Sequence, residues 1–215
     1  MIALIAGATG FIGNELLSQM LADSYFQEVR ILVRKEIALQ HPKLKQIKVN
    51  FDNLAANQAD FQGVTHAFCC LGTTMKKAGS KEAFYKVDFT YCQQTANAAK
   101  KAGVTHFQLI TSAGASKKSA FYYSQVKGEI EEYIQSLNFA SFVILRPSLL
   151  MGERKESRFG ERMAQIVMGG LAFLIPNKYK GVQGKTVAKA MLDQARINPK
   201  GLIIMESDEI FAYEK

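Results

Sequence analysis

Cysteine is scarce in this 215-residue chain: there are three, an odd number, and two of them are adjacent. That argues against a disulfide framework and points to a reducing, cytoplasmic setting. Cys69 and Cys70 sit in one apolar run, where neighbouring side chains on a strand face opposite sides. They make a poor metal pair, and with Cys92 they read as buried structural thiols. His41, His66 and His106 lie too far apart for ligand spacing, so no metal is expected. A secretory leader is not apparent: the first apolar stretch is short, has no basic residues before it, and reads as a strand. The longest apolar run, Met163 to Ile175, is too short for a bilayer and is broken by Gly169 and Gly170, so no membrane span is expected. Internal repeats, linkers and low-complexity segments are also lacking, which leaves one domain over residues 1–215. The 27 Lys and Arg exceed the 19 Asp and Glu, for a charge of +8, but they come in scattered pairs such as Lys76-Lys77 and Lys100-Lys101. Without a long basic helix or an aromatic-interleaved basic stripe, nucleic acid is not an expected partner.

What the chain does have is an alternation of apolar runs and helical segments. Strands are expected at Ile2–Ala6, Val29–Val33, Ile47–Phe51, His66–Cys70, Phe107–Ser112, Phe142–Arg146 and Leu202–Met205. Helices are expected at Phe11–Ala22, Lys81–Ala102, Ala120–Leu137, Gly160–Gly170 and Lys185–Arg196. The runs carry little polar alternation, as strands do when both sheet faces are covered. Right-handed crossovers then give an α/β fold, a doubly wound parallel sheet with helices on both faces. Ligands in such a sheet bind beyond the carboxyl ends of the strands.

Directly after the first run comes Gly7-Ala-Thr-Gly-Phe-Ile-Gly13. Gly7 permits a tight turn, Gly10 lets a ligand approach the backbone, and Gly13 lets the helix pack closely on the strand. A helix N-terminus there offers N–H groups and a positive dipole end to a pyrophosphate. A strand-to-helix turn with no ligand has the same appearance, so other residues must decide. Arg34 supplies one answer. It ends the second strand about twenty residues beyond the loop, where an acid binds the ribose of NAD or an arginine takes the 2′-phosphate of NADP. At this strand end come Arg34 and Lys35, with no acid until Glu36, which favours NADP(H). The third and fourth strands end at Asn50-Phe51 and Leu71-Gly72-Thr73-Thr74. The first pair is placed to border the adenine and the second, with no side chain at Gly72, to let the backbone pass close to the cofactor, while a plain strand-end turn explains either equally well.

Ser112 ends the fifth strand, and Tyr123 follows with Lys127 at i+4. On a helix those two share one face. A free phenol has a pKa near ~10 and is a poor base at neutral pH; a nearby ammonium favours the phenolate, at ~1.4 kcal/mol per unit of lowering. A serine hydroxyl can donate to a substrate oxygen where charge develops. Tyr122 competes for the role, but its i+5 offset from Lys127 is less well placed.

Together these residues carry a resemblance. Gly7–Gly13, Cys69-Cys-Leu-Gly-Thr-Thr74, Gln125-Val-Lys-Gly-Glu129, Arg146-Pro147 and Glu153-Arg-Lys-Glu-Ser-Arg158 resemble the atypical or extended branch of the short-chain dehydrogenase/reductase superfamily, in its Tat-interacting-protein oxidoreductase group. The resemblance runs through nearly the whole chain. It implies a Rossmann-like fold, bound NADP(H), and a Ser-Tyr-Lys active site. Ser112 would polarise the substrate, Tyr123 would act as acid and base, and Lys127 would tune Tyr123 and hold the nicotinamide ribose. Gly7, Thr9, Gly10, Phe11, Ile12, Gly13, Arg34, Lys35, Asn50, Phe51, Leu71, Gly72, Thr73, Lys127, Arg146 and Pro147 would bind the cofactor. Two departures stand out: Asn50 replaces an acid near the adenine, and Asp88 replaces an asparagine of the proton relay.

The segment 149–183 is expected to form a small C-terminal substrate-site cap, with an apolar stretch from Met163 and a charged loop from Glu153 to Arg158. Two functions fit: an oxidoreductase acting on an unidentified carbonyl or alcohol, and an NADP(H)-sensing regulator with a protein partner. A sugar epimerase or dehydratase fits less well, because no large substrate lobe is present.

Overall fold

The computed structural model describes residues 1–151 and 181–214. Seven strands form the main sheet: β1 (Ile2–Ala6), β2 (Glu28–Val33), β3 (Leu44–Lys48), β4 (His66–Cys69), β5 (His106–Ile110), β6 (Ser141–Arg146) and β9 (Gly201–Glu206). Their order is β3-β2-β1-β4-β5-β6-β9, and every neighbouring pair is parallel. This is the expected doubly wound sheet. The order reverses direction between β1 and β4, which opens a crevice at their carboxyl ends.

Side-chain alternation builds one core on each face. Ala3 and Ile5 of β1 join Leu16 and Leu17 of helix α1 (Phe11–Ala22) and Val187 and Met191 of the helix Gly184–Ile197. Leu4 and Ala6 face the other way, toward Ala96 and Ala99 of helix α4 (Tyr91–Lys101) and Ile130 and Ile134 of helix α5 (Tyr122–Ser136). Cys69 belongs to this second layer and Cys70 packs on the first, so the adjacent thiols do face apart. No helix among the described residues is long and apolar enough to cross a membrane.

Several boundaries differ from expectation, each for a local reason. The third strand ends at Lys48, ahead of the expected Phe51. Asn50 turns the chain there: its carboxamide accepts the Asp52 N–H at 3.0 Å and opens a 3₁₀ segment over Phe51–Phe61. The expected helix Lys81–Ala102 is three pieces: α3 (Lys81–Tyr85), a wide π-turn (Lys86–Thr90), then α4. A short helix α2 (Met75–Ala78) precedes α3, with Thr74 as its cap. Helix α5 starts at Tyr122 rather than Ala120, because the residues before it fold across Gly128. A small second sheet pairs β7 (Leu150–Met151) with β8 (Val182–Gln183). The Gly160–Gly170 helix, the Glu153–Arg158 loop and most of the expected cap lie outside the described residues.

Candidate functional site

Because the strands are parallel, all their carboxyl ends meet at one edge. The Gly7–Gly13 loop follows β1 there. Gly7 has φ +88°, and a Cβ on it would lie 2.6 Å from the Cys70 carbonyl. A Cβ on Gly13 would lie 2.1 Å from the Gly7 oxygen. Neither position can carry a side chain, so the loop is drawn tight against the end of β4. Gly10 caps α1 with no side-chain hydrogen bond, and Thr9 and Gly10 are exposed. Phe11, Ile12 and Gly13 form the first turn of this helix, Phe11 half-buried and the other two buried, at the helix end whose dipole favours an anion. The Phe11 ring packs on Gly184, where a Cβ would come within 2.6 Å of it.

Arg34 and Lys35 follow β2, are exposed, and have no ion pair or hydrogen bond among the described residues. Asn50 is engaged in its own turn, while Phe51 is buried with its ring 5.3 Å from that of Tyr91. Beyond β4, Leu71 packs on the core and Gly72 is exposed. A Cβ on Gly72 would sit 3.5 Å from the Lys127 ammonium.

Ser112 lies just past β5, and its Oγ is buried with no hydrogen-bond partner among the described residues. Tyr123 is 37% exposed, its ring 5.5 Å from that of Phe84. Tyr122 points elsewhere: its hydroxyl donates to the Lys81 carbonyl at 3.2 Å, and Lys81 lies over its ring. Lys127, one helical turn beyond Tyr123, is buried and pairs with Asp88 at 2.7 Å. Burial alone would push the Lys127 ammonium toward its neutral form; the Asp88 carboxylate, joined by Tyr123 and Cys92, instead holds its pKa above the ordinary lysine value. Beside this pair, a hydrogen bond between Cys69 and Cys92 lowers the pKa of the first thiol and raises that of the second.

Pro147 receives the Ala113 N–H on its carbonyl at 3.0 Å, which ties the turn after β6 to the one after β5. Arg146, expected beside the cofactor, is engaged with acidic partners. Its guanidinium grips Glu131 through two bonds, of 3.1 and 2.6 Å, and reaches Glu206 at 2.9 Å. Glu131 also accepts the Thr111 hydroxyl at 2.5 Å. Arg146 thus joins β6, α5 and the end of β9 in one polar network.

Two contributors escape a reading of the sequence alone. Gly128 lies under the loop after β5: a Cβ there would be 2.1 Å from the Lys117 nitrogen. A glycine inside a helix was the available signal. The Asp88–Lys127 contact is the other, spanning two elements with nothing local to announce it.

A dinucleotide fits these residues. Gly7 and Gly13 draw the loop tight against the protein's own backbone with no room for a Cβ, the basic pair beyond β2 is unengaged among the described residues, and Ser112 has a buried hydroxyl without a partner among them. Among the described residues no cluster could hold a metal ion.

Comparison with known proteins agrees. The chain matches the NAD(P)H-binding family over residues 7–196. It is similar to protein HTATIP2 of Rattus norvegicus, with 38% identity over 192 residues, 88% of this chain and 78% of that one. It is also similar to the protein FMP52-1, mitochondrial, of Scheffersomyces stipitis, with 35% identity over 160 residues, 74% of this chain and 71% of that one. Among solved structures, MoeE5 in complex with UDP-glucose and NAD matches at a TM-score of 0.72 and 15% identity, over 99% of this chain and 80% of that one. The oxidoreductase ylbE from Lactococcus lactis matches at 0.69 and 17%, over 99% and 95%. At those identities the two structures speak for the Rossmann-like fold alone. The family match spans most of the chain and the first relative covers it broadly, so this chain belongs to the NAD(P)H-binding family of atypical short-chain dehydrogenases/reductases.

Proposed function

We propose that the protein is an NADP(H)-dependent oxidoreductase that interconverts a carbonyl and an alcohol. The observation that carries this reading is the buried, unpartnered Ser112 Oγ at the same sheet edge as the glycine loop. Buried hydroxyls are ordinarily satisfied, so one left open at a binding edge is suited to a substrate oxygen. When bound, the nicotinamide supplies or accepts the hydride. Gly7, Gly10 and Gly13 with the first turn of α1 hold the pyrophosphate, and Arg34 with Lys35 meets the 2′-phosphate. Lys127 reaches the ribose through the space that Gly72 leaves open. Ser112 donates to the carbonyl oxygen and orients it. Tyr123 gives that oxygen its proton in reduction and takes it back in oxidation. Its 37% exposure lets solvent restore the proton afterwards.

The test is turnover of NADPH by the purified protein over a panel of aldehydes and ketones, followed by the variant Tyr123→Phe. Loss of an acid/base group of this kind lowers kcat by about 10²–10⁴-fold. NADPH affinity should stay within about twofold, since the phenol acts on the substrate. Tyr123→Phe turning over as fast as the unaltered protein would overturn the assignment. A protein that binds NADPH yet turns over nothing on the panel would favour the sensing role.

A further inference from the structure

Asp88 makes two contacts at once. One carboxylate oxygen lies 2.7 Å from the Lys127 ammonium, and the other accepts the Thr73 N–H at 2.8 Å. The side chain is wholly buried and that of Lys127 nearly so, 0% and 6% exposed. The π-turn Lys86–Thr90 carries the acid to this place, a kind of helix irregularity that is common at functional sites. Thr73 belongs to the strand end after β4 that borders the dinucleotide, and Lys127 to α5. A single carboxylate thus joins the two walls of the site.

We propose that Asp88 is a positioning residue that keeps Lys127 charged and fixes the Leu71–Thr73 strand end, so that both are ready for the dinucleotide. The proposal rests on the cofactor reading above. The chemistry calls for an acid rather than its amide. A carboxylate sets its charge against the ammonium through one oxygen while the other accepts the Thr73 N–H. An asparagine has one acceptor oxygen, and its NH₂ would face either the ammonium or the Thr73 N–H, donor against donor. Besides Asp88, the titratable groups among the described residues that act on Lys127 are Tyr123 on its own helix, Cys92 on α4 and Cys69 on β4. Asp88 is the one carboxylate in that set. Without it, burial favours a neutral lysine.

The consequence shows in binding and needs no substrate. NADPH affinity is measured by fluorescence titration from about pH 7.5 to about pH 10, above the titration of the 2′-phosphate. The unaltered protein should hold a constant Kd across this range. Asp88→Asn should bind more weakly and lose at least about tenfold further in affinity as the pH rises, because its Lys127 deprotonates within the window. Asp88→Asn combined with Lys127→Met should bind weakly at every pH, with no slope. An Asp88→Asn curve that is flat, whatever its absolute affinity, would reduce Asp88 to a structural role and overturn the proposal alone. The unaltered protein offers an independent check that does not depend on how the variant folds: a tenfold loss of its own affinity below about pH 9 would also overturn it. Absence of NADPH binding by the unaltered protein at neutral pH would overturn the cofactor reading, and this proposal with it.

Discussion

Arg34 stands exposed at the end of β2 with no partner among the described residues, so its five donors are open to a ligand. A charge-assisted hydrogen bond is worth about 1.5–3 kcal/mol, or roughly ten- to a hundredfold in affinity. Arg34→Ala should therefore weaken NADPH by about that factor and leave NADH nearly unchanged, since the two differ by the 2′-phosphate. Parallel fluorescence titrations with both nucleotides check it, and an equal loss for both would assign Arg34 to another contact. The place of Arg34 just past β2 was legible in the sequence because its spacing from the glycine loop is fixed by one βαβ unit. Arg146 was not legible in the same way. Its acidic partners Glu131 and Glu206 lie 15 and 60 residues away, and only the meeting of β6, α5 and β9 brings them together. The Asp88–Lys127 pair has the same character: each residue was visible, while their contact was not.

Elements built from apolar runs were readable, and those set by polar turns were not. Helix α1 was expected over Phe11–Ala22 and occupies those residues, because its apolar positions repeat at helical spacing. The break in the Lys81–Ala102 segment escapes the same reasoning. A π-turn changes the register locally without interrupting the run of helix-forming residues, and burial of a carboxylate is what marks it. The start of α5 depends on Gly128, over which Ser116 and Lys117 pass. That loop links Ser112 to Tyr123, so its path sets the distance between the two groups proposed to act on the substrate. Gly128→Ala would place a Cβ 2.1 Å from the Lys117 nitrogen and 2.3 Å from the Ser116 carbonyl carbon. Backbone cannot swing aside as a flexible side chain does, so the loop must lift. The variant should lose about 1–3 kcal/mol in urea denaturation, as overpacked sites do. Its kcat should fall more than its NADPH affinity, because Ser112 and Tyr123 move while the Gly7–Gly13 loop does not. Unaltered stability together with unaltered turnover would show that the loop does not bear on Gly128.

The whole molecule divides its labour between the two edges of one sheet. The carboxyl edge holds the groups proposed to bind and react; the opposite edge holds a buried imidazole pair. His66 and His106 are register partners at the start of β4 and β5, with ring centroids 4.8 Å apart, and both are essentially unexposed. His106 is held by Asn198, Ser141 and Gln108, at 3.0, 2.8 and 2.8 Å. Burial pushes both imidazoles down to about 4, with His66 adding to the effect on His106. Unfolded histidine titrates near 6.5, so between those values the unfolded chain binds more protons than the native one. Stability contributed by the neutral pair is therefore complete above about pH 6.5 and is lost as the pH falls toward about 4. Each histidine adds a slope of at most about 1.4 kcal/mol per pH unit. His66→Phe is a suitable probe, since the ring already lies among Tyr25 and Phe26, at centroid distances of 5.8 and 5.4 Å. Urea midpoints for the unaltered protein should be level from about pH 8 to pH 7 and fall below about pH 6.5, while His66→Phe should lose up to half of that slope. NADPH affinity of the folded variant at neutral pH should not change, because the pair lies at the far ends of the strands from the glycine loop. An acid slope identical in the two proteins would place the titrating groups elsewhere, whereas a large change in nucleotide affinity would mean that the two edges are coupled through the sheet.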